Sequence, residues 1–294
     1  FIIIAFFKYI QFHSIAHVKK CYFIFVTNSY LDSQTFINQT NSIMKTLKLL
    51  STAVVICFCF ISVQAQTADE IINNYITNIG GQEAWSDIKS MKVTGVGRQQ
   101  GVDYPFVATY MADGRYVIDV DLQGNSFIVE AFDGEQAWAM NFQTQQPEAL
   151  DSETSMNTKN EAKDEMTSPF FNYKDKGYKV ELVGKDTWEG TEVYKIKLTK
   201  KPVMVDGKEE ENVVIYYFDT ENFVPIASEA VETSGPAKGA TIQSIYSDYQ
   251  EVDGVYVAFS QIDKFNGQVG LEMKVETVEF NTEVDQSIFK MPKN

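Results

Sequence analysis

The spacing of apolar residues along the chain changes from a helical period to a strand period near residue 89. Before that point the apolar residues recur three or four positions apart, at Ile71, Ile72, Tyr75, Ile76 and Ile79. Thr67 and Glu70 have the spacing of a capping box, and Gly80-Gly81 supplies residues that accept the left-handed conformation after a helix end. The sequence therefore predicts an N-terminal helix, followed by a short second turn near Trp85.

From Lys89 onward the apolar period is two, which indicates β-strands. Asp-Gly, Asn-Gly and Glu-Gly pairs separate these runs, and such pairs favour tight hairpins because the turn residues need positive φ. The predicted strands are 90–100, 104–112, 115–121, 126–132, 135–142, 178–184, 192–200, 212–219, 223–232, 240–250, 255–264 and 268–280. Antiparallel strands joined in sequence predict a mainly β (α+β) fold, with one large curved sheet or open barrel favoured over a sandwich.

Residues 143–176 interrupt the hairpin pattern. They are rich in polar residues and show no strand signal, but residues 152–166 could form a weakly amphipathic helix. Connections this long usually have structure of their own or act as lids. We therefore expect a helical insertion over the mouth of the sheet, with Phe170 and Phe171 directed inward.

Residues 44–65 have the three-part order of a secretory signal peptide. Lys45 and Lys48 give a positive start, residues 49–61 are mostly apolar, and small or tolerated residues end at Ala65. The alternative is a transmembrane anchor, but the apolar run is shorter than the roughly 20 residues that cross a bilayer. We expect export to the periplasm with cleavage after Ala65.

Residues 1–43 contain seven phenylalanines and no ordered alternation of polar and apolar positions. We interpret them as mistranslated sequence upstream of a start at Met44. The alternative is an anchor formed by residues 1–12, which is short for a membrane span. The expected organisation is thus upstream sequence (1–43), signal peptide (44–65) and a single domain (66–294).

Composition changes at Gln66 in a way that limits the chemistry of the domain. All three cysteines and both histidines precede this residue, so residues 66–294 can hold no disulfide, Cys nucleophile, His base or zinc site built from these ligands. Five of the 25 basic residues but one of the 40 acidic residues also precede it, which leaves a net charge of about −19. Such a charge disfavours nucleic acid and anionic lipid surfaces.

Candidate catalytic and metal-binding groups are few. Asp119-Val-Asp121 followed by Gly124 faintly resembles a Ca²⁺ loop, but two solvated carboxylates at a strand end explain it more simply. The acids could supply a glycosidase pair, yet no spacing distinguishes one pair from the others. The sequence has no Gly-x-Ser-x-Gly elbow. We expect no catalytic residue, no metal and no cofactor, and a function in binding.

A surplus of aromatic residues is the remaining candidate for function. Some predicted strands, such as residues 213–218, are apolar on both faces, so both faces must be covered. Aromatic side chains line hydrophobic ligand cavities, although core packing uses the same residue types. The candidate lining residues are Trp85, Phe106, Tyr110, Phe127, Trp138, Phe170, Phe171, Tyr216, Phe218 and Phe259.

Several short motifs resemble one protein family. They are Ala68-Asp-Glu-Ile-Ile72, Ile79-Gly-Gly81, Asp133-Gly-Glu-Gln-Ala-Trp138, Ser168-Pro-Phe-Phe171, Ser247-Asp-Tyr-Gln-Glu-Val-Asp-Gly254 and Phe289-Lys-Met-Pro292. In this order they are similar to the outer membrane lipoprotein-sorting proteins of LolA/LolB-like fold, in the form common in Bacteroidetes. The resemblance covers essentially all of residues 66–294.

The resemblance implies an open half-barrel, a single curved antiparallel sheet whose concave face is lidded by the N-terminal helix and the helical insertion. It also implies a cavity for lipoprotein acyl chains or other lipids. We therefore expect a monomeric, non-catalytic periplasmic carrier that supports lipoprotein sorting. The alternative is an envelope sensor that recognises a protein partner with the same fold.

Overall fold

Antiparallel strands dominate the computed structural model, which describes residues 66–234 and 237–292. The predicted upstream sequence and signal peptide lie outside this range. Within it, no helix combines the length and the apolar composition that a membrane crossing requires. The strands are β1 (Ser90–Gln99), β2 (Val102–Met111), β3 (Tyr116–Leu122), β4 (Asn125–Phe132), β5 (Ala137–Asn141), β6 (Gln146–Ala149), β7 (Lys179–Trp188), β8 (Thr191–Thr199), β9 (Val203–Val205), β10 (Lys208–Glu210), β11 (Val213–Asp219), β12 (Pro225–Val231), β13 (Thr241–Val252), β14 (Val255–Phe265) and β15 (Gln268–Phe280).

Thirteen of these strands form a single sheet in the order β6-β5-β4-β3-β2-β1-β15-β14-β13-β12-β11-β8-β7. Sheet neighbours are also chain neighbours, except that β1 pairs with β15 and β8 pairs with β11. The second exception arises because β9 and β10 form a separate hairpin. The end strands β6 and β7 do not pair, so the sheet is curved but not closed. This architecture confirms the predicted fold class.

Three helices lie against one face of the sheet, which we call the concave face. They are α1 (Ala68–Asn78), α2 (Gly81–Asp87) and α3 (Ser152–Met166). Thr67 and Glu70 form the predicted capping box, because the side chain of each accepts a hydrogen bond from the backbone N–H of the other. A short 3₁₀ helix, Gln286–Phe289, follows β15 and lies on the opposite, convex face.

The largest core cluster lies between the concave face and the helices. Ile71, Ile72 and Tyr75 form the buried stripe of α1, as their helical spacing predicts. The Tyr75 ring meets Phe170 and Phe218 edge-on, with ring centroids 6.0 and 5.5 Å away. These contacts hold α1 against the sheet.

The segment from β6 to β7 connects the two opposite edges of the sheet. It contains the predicted insertion helix, confirmed as α3, and it places Phe170 and Phe171 inward at 1% and 5% exposure. The expectation of no strand in residues 143–176 is wrong, because β6 pairs with β5. The turn before β6 uses Gln145 at φ 57°, without the Asp-Gly signal that marks other hairpins.

Candidate functional site

An apolar groove lies on the concave face where β1 to β4 and β15 approach their hairpin turns. Its volume is about 580 Å³, and no charged side chain of the described residues lines it. We call it the concave groove. Its lining residues are Gly97, Gln99, Tyr104, Phe106, Ala108, Tyr110, Ile118, Val120, Leu122, Val129, Phe142, Leu271 and Met273. The even-numbered positions of β2 line it together, because alternate strand residues share a face.

Two glycines of β1 give this part of the concave face its shape. At Gly95 the Phe106 ring lies so close that an added Cβ would be 2.9 Å from it. At Gly97 the nearest atom to an added Cβ would be Leu271 Cδ1, 3.5 Å away. Gly95 therefore lets Phe106 pack on bare backbone, whereas a Cβ at Gly97 would make only ordinary van der Waals contacts in the groove wall.

An exposed aromatic residue marks the outer end of the concave groove. Phe142 is 60% exposed, and its ring stacks on Phe127 with centroids 6.1 Å apart. Phe127 is the cross-strand partner of Val120, so both lie on the concave face. The groove thus opens to solvent beside an apolar edge.

A second depression adjoins the concave groove under α3. Met91 lines this depression and is the cross-strand partner of Tyr110, which lines the groove. Its volume is about 240 Å³, and we call it the tyrosine pocket because Tyr75, Tyr216, Tyr246, Tyr249 and Tyr256 line it. Trp85, Phe170 and Glu165 also line it.

Glu165 is the charged residue of the tyrosine pocket. Burial among protein groups raises the pKa of its carboxyl from 4.5 to about 7. Lys200 opposes this shift, while the carboxylates of Glu130, Glu161 and Asp164 add to it. The Glu165 side chain is nevertheless exposed to solvent, which screens its charge and weakens the effect of the neighbouring groups. The concave side therefore holds a solvent-exposed carboxyl group whose pKa is raised above its ordinary value.

Polar contacts fix α3 above the tyrosine pocket. The buried Asp164 carboxylate accepts hydrogen bonds from Lys176 Nζ at 2.5 Å and Tyr178 Oη at 3.0 Å. Glu161 accepts one from Lys200 Nζ at 3.1 Å. Asn157 exchanges two hydrogen bonds with the backbone of Met204, which joins the helix to the β9–β10 hairpin. The position of α3 is therefore fixed by hydrogen bonds to several separate segments of the chain.

The structure separates the ten sequence-predicted site residues into four groups. Phe106 and Tyr110 line the concave groove, and Phe127 lies at its edge. The residues Trp85, Phe170 and Tyr216 line the tyrosine pocket. Buried in the core cluster beside that pocket are Phe171, Phe218 and Phe259. Trp138 is not brought to the concave side.

Trp138 lies on the convex face, because its cross-strand partner Ala131 belongs to that face and paired residues share a face. Its side chain is fully buried with Val117 and Ala131, and its Nε1 donates to the Phe289 carbonyl at 2.8 Å. The Arg115 guanidinium lies 5.1 Å from the Phe289 ring centroid. Phe289 and Trp138 together fasten the C-terminal segment to this face.

A further cavity of about 750 Å³ lies between the convex face and the C-terminal segment. Unlike the concave groove, this convex cavity includes charged residues, among them Lys92, Asp119 and Asp121. Asp119 accepts a hydrogen bond from Ser126. The two Asp residues therefore lie at a cavity wall. Across residues 66–234 and 237–292, no three His, Cys, Asp or Glu side chains are grouped so that they could hold a metal.

Sequence reasoning missed several groove residues and Glu165. Val120, Leu271 and Met273 belong to the same strand faces as the predicted aromatics, so strand alternation was the signal that could have found them. Glu165 carried no such signal, because its position depends on how α3 crosses the sheet.

The chain matches no family model, and no curated protein matches it. Among solved structures it is similar to a LolA superfamily protein from Nitrosomonas europaea, at 14% identity and a TM-score of 0.49, over 77% of this chain and 98% of that one. It is also similar to an outer membrane lipoprotein-sorting protein domain from Vibrio parahaemolyticus, at 12% identity and a TM-score of 0.48, over 75% and 94%. A third is a DUF1329 family protein from Desulfovibrio piger, at 10% identity and a TM-score of 0.49, over 76% of this chain and 97% of that one. The first two bear names from the group that the sequence motifs resemble, and the likeness is one of architecture.

Proposed function

We propose that the domain is a non-catalytic binding and carrier protein for one hydrophobic ligand, a lipid or the acyl chains of a lipoprotein. The observation that carries this proposal is the concave groove of about 580 Å³, which is lined without charged side chains. Burial of apolar surface contributes roughly 25 cal/mol per Å², so an acyl chain gains affinity there without any reactive group.

Titration of delipidated protein with a fluorescent fatty acid tests this proposal. We expect saturable binding in the wild type and clearly weaker binding in Gly97→Leu, whose new side chain would occupy the groove beside Leu271. Val96→Leu is the matched control, because Val96 is the neighbouring residue and faces the opposite side of β1. A flat wild-type titration contradicts the proposal, and equal loss in both variants would point to general damage of the sheet.

We also propose that the protein acts in the periplasm, where it supports sorting of lipoproteins to the outer membrane. The support is the predicted signal peptide at residues 44–65 and the family resemblance of the motifs after it. N-terminal sequencing of protein from the periplasmic fraction should begin at Gln66. A longer chain retained in the membrane fraction would contradict cleavage.

The second candidate is an envelope sensor that recognises a protein partner. The convex cavity favours it, because this cavity mixes charged and apolar residues, as protein interfaces do. A pull-down from the envelope fraction separates the two candidates. A stoichiometric protein partner without co-purifying lipid supports the sensor, whereas bound lipid without a partner supports the carrier.

A further inference from the structure

The tyrosine pocket and the concave groove differ in charge although they adjoin each other. Glu165 is the charged residue of the pocket lining within the described part of the chain, and no lysine or arginine shares that lining. Among the described residues no hydrogen bond or ion pair holds the Glu165 carboxylate, and its side chain is open to solvent. The pocket therefore contains an acceptor without a protein donor.

The charges that face Glu165 leave this region negative. Lys200 is the cation among them, and it is already bonded to Glu161 at 3.1 Å. Asp164 is neutralised by Lys176 at 2.5 Å. Glu130 accepts a hydrogen bond from Tyr116 and forms no ion pair within the described residues. With Glu165 ionised, both Glu165 and Glu130 lack an ion-pair partner among the described residues.

Aromatic rings complete the pocket and are fixed in place. Tyr246 shares a hydrogen bond with Ser228 at 2.9 Å, and Tyr249 donates to the Pro225 carbonyl at 2.7 Å. Five tyrosines and Trp85 line a space of about 240 Å³. Aromatic rings combined with a carboxylate form the kind of site that binds organic cations, through cation–π attraction and a charge-assisted hydrogen bond.

We propose that the tyrosine pocket binds the ammonium group of an amphiphile whose acyl chain occupies the concave groove, with Glu165 as the acceptor. This inference rests on the proposed function, since it assumes that the groove holds a chain. It narrows the ligand class to lipids or lipopeptides that carry an amine. It also gives binding a direction, head under α3 and chain toward Phe142.

Binding of an ammonium group requires the ionised form of Glu165. Because burial raises the pKa of this carboxyl to about 7, affinity for a cationic head should increase as pH rises from 6 to 8. A carboxylate head should show the opposite trend. A neutral head should show little dependence on pH.

Calorimetric titration with dodecylammonium, dodecanol and dodecanoate below their micelle concentrations tests the inference. At pH 8 we expect the wild type to bind dodecylammonium about tenfold more tightly than dodecanol, the size of one charge-assisted hydrogen bond. Glu165→Gln should remove this preference while its affinity for dodecanol stays unchanged. Glu135→Gln, which removes an exposed carboxylate, is the charge control and should keep the preference.

The outcomes separate the two proposals. Equal affinity of the wild type for dodecylammonium and dodecanol overturns the ammonium site and leaves the carrier function standing. A preference that survives in Glu165→Gln, that disappears in Glu135→Gln, or that favours dodecanoate also overturns it. If none of the three probes binds, the carrier function fails and the ammonium site fails with it.

Discussion

The two faces of the same sheet are covered in different ways, and the difference explains where a ligand can bind. The concave face meets the helices across the largest apolar core cluster, and α3 is also held by polar contacts such as the Asp164 and Asn157 hydrogen bonds. The convex face meets a short C-terminal segment that inserts one fully buried side chain, Phe289. The concave groove has no charged lining residue within the described part of the chain, whereas charged side chains line the larger cavity beside the C-terminal segment. An apolar ligand would therefore desolvate charged groups in the convex cavity but not in the groove.

The largest expected effect is on the convex face. Phe289→Ala should destabilise the domain by roughly 3 to 5 kcal/mol, because it empties a fully buried aromatic site under the C-terminal segment. Urea unfolding would measure this loss. Fatty-acid binding to the folded fraction should remain unchanged, since the groove lies on the other face.

Ile288→Ala is the matched control for Phe289→Ala. Ile288 is the neighbouring residue and is 36% exposed, so its loss should cost much less. If Phe289→Ala abolished ligand binding while leaving the protein folded, the independence of the two faces would be disproved.

Replacement by alanine should have different effects on stability at the two glycines of β1. Gly95→Ala should cost roughly 2 to 3 kcal/mol, because its Cβ would lie 2.3 Å from the Lys274 carbonyl oxygen and 2.9 Å from the Phe106 ring. Gly97→Ala should be neutral or slightly stabilising, because its Cβ meets only ordinary contacts and alanine restricts the unfolded chain. Comparison of the two urea midpoints checks this, and equal losses would show that the groove wall is as crowded at Gly97 as at Gly95.

The anchoring of α3 provides a third comparison, between two ion pairs on one helix. Asp164→Ala should cost about 2 kcal/mol, because it leaves Tyr178 Oη and Lys176 without a buried acceptor. Lys159→Ala should cost under about 1 kcal/mol, because its pair with Glu135 is open to solvent. Thermal unfolding of both variants measures the two losses of stability. Similar losses would mean that burial does not distinguish the two pairs.

The sequence predicted this fold closely because most of its elements have a local signal. The capping box at Thr67, the strand alternation of β2 and the turn pairs such as Asp253-Gly254 all act within a few residues. The strand β6 was missed because its turn relies on the Asn141 side chain, which accepts from the N–H groups of Gln143 and Thr144.

The candidate site was less accessible from the sequence because it depends on register and on long connections. The aromatic residues Trp138 and Phe106 have equally apolar surroundings in sequence, yet pairing places them on opposite faces. Glu165 lies on a helix of mostly polar residues, and only the passage of α3 between the two sheet edges brings it above the tyrosines. A one-residue shift of strand register would have exchanged the two faces entirely.

The smallest expected effect is a change of stability with pH that Glu165 causes on the concave side. The raised pKa of Glu165, about 7 against an ordinary 4.5, means that the folded protein keeps a proton there which the unfolded chain has lost. Stability from this group is therefore complete below pH 4.5, falls as pH rises toward 7, and stays lower above it. Glu165→Gln cannot ionise, so its Tm advantage over the wild type should be near zero at pH 4 and reach its maximum above pH 7. Glu135→Gln is the charge control. An equal pH-dependent advantage there would attribute the effect to net charge, and an advantage of Glu165→Gln that did not change with pH would mean that the carboxyl ionises as freely in the concave cavity as in water.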